Sequence, residues 1–200
     1  MKKILLLIFL ANTGLCIQAQ EKMIIKETFE NNRLKWDEVY DKDFSIGVMD
    51  GYFELKNEKD GRSIYTVTEL PVNPHDPFKV TTKFIVPKIN DKYYFGIVFN
   101  HEDENNYSYF VVYEKRFRIL KRIEGVERKV REGNIILNSG KNKEVVIEME
   151  SKGGKLSFKV DNMEVIDITR RDADCTFGFL VQNANTLKIE EVIIEQIQDE

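Results

Sequence analysis

Phe78-Lys79-Val80-Thr81-Thr82-Lys83-Phe84-Ile85-Val86 places Phe78, Val80, Thr82, Phe84 and Val86 on one face of an extended chain and Lys79, Thr81, Lys83 and Ile85 on the other. Successive side chains of a strand point to opposite sides, so this stretch predicts a strand with one apolar face turned inward. Leu156, Phe158 and Val160 repeat the pattern. Asp161-Asn162 follows, two residues that tolerate positive φ, and predicts a tight turn into a partner strand carrying Val165, Ile166 and Ile168. Further strands are predicted at 24–29, 52–56, 62–68, 93–100, 107–114, 116–123, 126–131, 143–150, 176–182 and 186–197. Only 30–36 has helical spacing, enough for about one turn. Pro71, Pro74 and Pro77 forbid a helix between residues 70 and 78. Short strands joined by Asx and Gly turns predict an all-β fold, a two-sheet antiparallel sandwich in preference to a closed barrel. Tyr93-Tyr94-Phe95-Gly96-Ile97-Val98-Phe99 and Tyr109-Phe110-Val111-Val112-Tyr113 are apolar on both faces. The second sheet covers one face of such strands, and the other is left aromatic and available.

Ahead of the strands, Lys2 and Lys3 precede an apolar run from Ile4 to Leu10, and Ile17-Gln18-Ala19 presents a small residue before Gln20. Residues 1–19 therefore read as an export signal, with residues 20–200 as a single exported domain in a secreted or periplasmic location. Leu15 stands before Cys16 where a lipoprotein signal needs a small residue, so lipid anchoring is not expected. No stretch approaches the roughly 20 apolar residues of a membrane span, and membrane insertion is not expected. Loss of Lys2 and Lys3, with no acid lost, takes the formal charge from −4 to −6, which makes nucleic acid and anionic membranes poor partners. About 180 residues suit one core, and no linker or repeat interrupts them. Cys175 is the single thiol of residues 20–200, so no disulfide can form within them; lying in the strand-like Cys175-Thr176-Phe177-Gly178-Phe179, it is expected to be buried and inert.

The succession Phe29-Glu30-Asn31-Asn32 with Trp36, Met49-Asp50-Gly51-Tyr52-Phe53-Glu54-Leu55, Tyr94-Phe95-Gly96-Ile97-Val98-Phe99-Asn100, Asn106-Tyr107-Ser108-Tyr109-Phe110, Lys155-Leu156-Ser157-Phe158-Lys159-Val160-Asp161-Asn162 and Phe177-Gly178-Phe179 resembles the concanavalin A-like lectin/glucanase superfamily. Within it, the chain looks most like the laminin-G-like jelly-roll domains of secreted bacterial glycan-handling proteins. The resemblance implies a jelly roll of two curved sheets whose concave side or rim binds sugars in many relatives. Fold alone does not fix function.

The glycosidase branch of the superfamily is marked by a Glu-x-Asp-x-(x)-Glu strand, and a retaining mechanism needs two carboxyls about 5 Å apart. The nearest match is Glu144, Glu148 and Glu150; the middle Asp is missing, and alternation with Val145, Ile147 and Met149 suits a solvated strand face. Glu190, Glu191 and Glu195 read the same way. His75 and His101 lack motif partners, and Asp103, Glu104 and Asn105 lack the ligand spacing of a calcium loop. No catalytic residue, metal or cofactor is therefore expected. The basic cluster from Lys115 to Arg131 alternates with Phe117, Ile119, Ile123 and Val130, as on a solvated hairpin; its sharper reading is a polyanionic glycan.

Tyr93, Tyr94, Tyr107, Tyr109 and Tyr113 fall in two strands joined by residues 101–106, and sugar rings stack their C–H faces on flat aromatic surfaces while Asn side chains bond the hydroxyls. The candidate ligand-binding residues are Tyr93, Tyr94, Tyr107, Tyr109, Asn100 and Asn106; Trp36 is expected to be a core or edge plug. The expected function is a non-catalytic, lectin-like domain recognising an extracellular glycan. The alternatives are a glycoside hydrolase of the same superfamily, and an adhesion or protein-interaction module that has lost sugar binding and has a protein partner.

Overall fold

The computed structural model describes residues 22–88, 92–137, 141–170 and 174–198, so the expected export segment lies outside the described residues. The strands in chain order are β1 Lys22–Glu27, β2 Val39–Tyr40, β3 Phe44–Met49, β4 Tyr52–Asn57, β5 Ser63–Glu69, β6 Phe78–Lys88, β7 Tyr94–Asp103, β8 Asn106–Tyr113, β9 Arg116–Ile123, β10 Val126–Asn134, β11 Lys141–Lys152, β12 Lys155–Val160, β13 Met163–Thr169, β14 Thr176–Gln182 and β15 Asn185–Gln196. They build two antiparallel sheets. The larger has nine strands ordered β13-β12-β11-β6-β15-β4-β3-β2, with β1 also paired to β15; the smaller has six, ordered β10-β9-β8-β7-β14-β5. The described residues form no helix, and neither sheet closes on itself. This is the all-β sandwich that the alternation predicts.

The central strand of the larger sheet is β15. One edge pairs with β6 along most of its length, from Lys188 to Gln196, while the other is shared end to end by β4, opposite Asn185 to Ile189, and β1, opposite Val192 to Gln196. In β6, Phe78, Val80, Thr82, Phe84 and Val86 are all buried. The opposite pleat forms an ion-pair ladder: Lys79 reaches Glu195 at 3.0 Å, and Lys83 reaches Glu144 and Glu190, each at 2.9 Å. The core between the sheets is rich in rings, including Phe53, Phe84, Phe95, Phe110, Phe158, Phe177 and Phe179. Several hairpins turn through left-handed residue pairs, which match the twist of the strands they join. Asp161 and Asn162 have φ of 49° and 65°, as their composition predicts.

Residues 30–36 form turns in place of a helix. The buried Glu27 carboxylate accepts hydrogen bonds from the amides of Phe29 (2.8 Å) and Leu34 (3.0 Å), while the Asn32 side chain accepts from the Trp36 amide and donates to the Trp36 carbonyl. Side chains thus satisfy the backbone that a helical ladder would otherwise use. Trp36, 2% exposed, is driven inward against Phe179 (4.6 Å between centroids) and Phe53 (5.7 Å), so it is a core plug. The strands predicted from sequence omit β2 and β3: the first is two residues long, while the second does alternate, with Phe44, Ile46 and Val48 set against Ser45 and Gly47. Cys175 is half-buried against the core, and burial pushes its thiol up, away from the reactive thiolate.

Candidate functional site

The smaller sheet has a second apolar surface. Phe95, Ile97, Phe99, Phe110, Val112, Phe177 and Phe179 face the larger sheet, and the alternate residues Val98, Tyr107, Tyr109, Val111, Leu120 and Leu180 form a separate cluster on the outer face. Tyr65, Val67 and Tyr94 pack against that cluster. The expected aromatic face of β7 and β8 is therefore present, extended by Tyr65 from β5.

Two glycines lie within this face. Gly96 sits opposite Val111 and Leu180, and Gly178 opposite Val67 and Val98. A Cβ on Gly96 would meet the Phe110 carbonyl oxygen at 2.0 Å, and one on Gly178 the Thr66 carbonyl oxygen at 1.9 Å. At both positions a neighbouring strand's backbone occupies the space of a side chain. The Tyr65 and Tyr107 rings approach to 5.0 Å across β14 and β7, leaning over strands that together separate β5 from β8 by roughly 14 Å.

The tyrosine hydroxyls are tied to the β9–β10 hairpin. Tyr109 donates to Glu127 and Tyr113 donates to Glu132 at 2.8 Å, although β9 lies between β8 and β10. Each ring is therefore stretched across β9. Arg118 lies over the Tyr113 ring at 4.9 Å and bonds Glu132 at 3.0 Å, and Arg122 sits beside the Tyr107 hydroxyl, a contact that raises its pKa. Burial pushes the Tyr109 hydroxyl up, and the Glu127 carboxylate adds to that shift. With Tyr107, Tyr109 and Tyr113 only 5%, 7% and 5% exposed, these rings are a braced platform; Tyr65 and Tyr94, half-buried, are the reachable ones.

Lys129, Tyr113 and Arg118 together hold the Glu132 carboxyl down from 4.5 to about 2. A depressed folded-state pKa contributes stability that is fully present above the unfolded value and lost as pH falls through the folded one. Glu132 should therefore stabilise the hairpin above pH 4.5 and stop doing so as pH falls towards about 2. Urea titrations across that window should show a steeper loss for the wild type than for Glu132→Gln.

At the β5 end the face meets a depression of about 340 Å³ lined by Asp37, Val39, Tyr65, His101 and Glu104, among others. The His101 ring lies 5.6 Å from Tyr65 and 5.9 Å from Tyr107, and its amide donates to Thr176 Oγ1 at 2.7 Å. Ring faces, an imidazole and two carboxylates converge here, a combination suited to a polyhydroxylated ligand.

Of the residues singled out from sequence, Tyr94, Tyr107 and Tyr109 share this outer face. Tyr93 lies one residue before β7, where alternation puts it on the opposite pleat from Tyr94. Asn100, with φ of 50°, lines a cavity between the sheets. The Asn106 side chain donates to both Asp103 carboxylate oxygens, at 3.0 and 3.1 Å, and accepts from the Glu124 amide at 3.0 Å, so it clamps two hairpin turns together. Asp103 also accepts from the Asn105 amide, and these bonds hold its carboxyl below the usual range. Sequence reasoning missed Tyr65 and His101 at the site; the Ser63-Tyr65-Val67 alternation of β5 carries the signal for Tyr65. Glu144, Glu148 and Glu150 lie in β11 on the larger sheet, away from the tyrosines, with Glu144 in the ion-pair ladder.

No family model matches the sequence, and no curated protein matches it. Solved structures do match in fold. The carbohydrate binding module CBM66 from Bacillus subtilis superposes with a TM-score of 0.56 at 15% identity, covering 80% of this chain and 96% of that one. The carbohydrate recognition domain of Emp47p gives 0.62 at 13% identity, covering 88% and 97%. The catalytic domain of an endo-1,3-beta-glucanase from Thermotoga petrophila gives 0.60 at 8% identity, covering 90% and 100%. The chain has the two-sheet jelly-roll fold of these structures. No helix among the described residues is long and apolar enough to cross a membrane.

Proposed function

We propose that this protein is a non-catalytic, lectin-like domain that binds an extracellular glycan on the tyrosine face of its smaller sheet. The observation that carries this reading is the outer aromatic cluster, which lies outside the core and ends beside the depression lined by Tyr65, His101, Asp37 and Glu104. Flat rings take the C–H faces of sugars, and the flanking carboxylates and imidazole take their hydroxyls. The jelly-roll likeness to carbohydrate-binding and carbohydrate-recognition domains supports it as analogy. Residues 1–19 would carry the protein out of the cytoplasm, to the periplasm or beyond.

A glycan array with the protein, repeated with Tyr65→Ala and Tyr94→Ala, tests the reading. Binding should appear for the wild type and fall at least tenfold for Tyr65→Ala, with the circular dichroism spectrum unchanged. Silence across the array overturns it in favour of a protein-interaction module, and release of reducing ends from a bound polysaccharide overturns it in favour of a hydrolase.

A further inference from the structure

We propose a second site, distinct from the tyrosine face, in the cavity between the sheets at the open side of the sandwich, for a monoanionic sugar unit of the uronate type. The cavity measures about 470 Å³, within the size range of small-ligand pockets, and opens between β9–β10 of the smaller sheet and β13 of the larger. Its polar lining comprises Asn100, Ser108, Lys121, Arg131, Asp167 and Thr169.

Two departures from regular pleating bring these groups together. Lys129 pairs with Leu120 and Arg131 with Ile119, so Val130 is an extra residue in β10. Leu120 is on the outer face and Ile119 in the core, and the bulge therefore turns Arg131 inward where plain alternation would turn it outward. A register shift in β7 between Phe99 and Asp103 accompanies the left-handed Asn100, which lines the same cavity. Ser108 and Lys121 face each other directly across β8 and β9.

Ser108 is 5% exposed and lines the cavity. Neither Lys121 nor Arg131 has an ion pair among the described residues, although Asp167 also lines the cavity. Two cations against one exposed carboxylate favour a single negative charge. Ile119 and Ile168 supply apolar walls for the C–H faces of a ring. Charge, hydroxyl acceptors and apolar wall together match a sugar bearing one carboxylate better than a bare inorganic anion. The site stands apart from the tyrosine face, so it does not depend on the glycan reading given above.

Amide chemical shifts of the protein, titrated with sodium D-glucuronate, D-glucose and sodium sulfate at matched ionic strength, test this. Glucuronate should produce saturable shifts at Ser108, Lys121 and Arg131, with glucose and sulfate at least tenfold weaker. Lys121→Gln combined with Arg131→Gln should weaken glucuronate at least tenfold, Ser108→Ala severalfold, and Tyr65→Ala not at all. Absence of saturable shifts, persistence of glucuronate binding in the double variant, or sulfate binding as tightly as glucuronate would each overturn the proposal. Loss of binding in Tyr65→Ala would assign the sugar to the tyrosine face instead and overturn it equally.

Discussion

Phe179→Ala should lower the unfolding free energy by about 4 kcal/mol, measured by urea denaturation, with a smaller loss for Phe179→Leu. The side chain is fully buried and stands where the core rings meet: Trp36 at 4.6 Å, Phe177 at 5.8 Å, Phe84 at 6.0 Å and Phe53 at 6.1 Å. Phe84 and Phe53 belong to the larger sheet, so truncation opens a void across the seam between the layers. Four stiff rings cannot collapse into that void as flexible side chains would, which keeps the cost well inside the range for aromatic truncation. A loss under about 1.5 kcal/mol would mean that the two layers repack freely, contrary to the packing described.

The second large effect lies one residue away and acts on the opposite face. Gly178→Ala should cost about 3 kcal/mol and displace β5 from β14, because the added carbon would sit 1.9 Å from the Thr66 carbonyl oxygen and 2.8 Å from Val67 Cγ1. The obstacle is backbone, so no rotamer relieves it, and the strand that must move also carries Tyr65. Gly61→Ala is the control: its φ of 72° brings strain, but nothing lies within 4 Å of the new carbon, and about 1 kcal/mol is expected. Thermal unfolding of both variants checks the contrast. Equal losses would show that the backbone contact at Gly178 costs no more than the positive-φ strain at Gly61.

The fold was legible because period two is local. Phe78 to Val86, the Asp161-Asn162 turn and the hairpins of β7 to β10 each follow from residues within a few positions of one another. Residues 30–36 were misread because their backbone partners are the side chains of Glu27 and Asn32, which spacing does not reveal. Of the candidate site, the shared face was legible: Tyr94 of β7 and Tyr107 and Tyr109 of β8 lie together on the outer side of the sheet. Its membership was not. Tyr65 reaches it from β5 through a strand order that no local pattern encodes, and Asn106 is engaged by Glu124, eighteen positions away. The inward turn of Arg131 depends on a single extra residue, Val130, which inverts alternation without altering composition.

The pairing of β1 with the last turn-to-turn stretch of β15 has a mechanical corollary. Lys22 lies opposite Gln196 and Glu27 opposite Val192, so both ends of the folded chain leave from the same extremity of one ladder. Tension applied between them peels the hydrogen bonds apart one after another, each bearing the full load alone, whereas a shearing pull would load them in parallel. The domain should therefore yield at low force when held by its two ends, starting with β1 and leaving the smaller sheet intact until later.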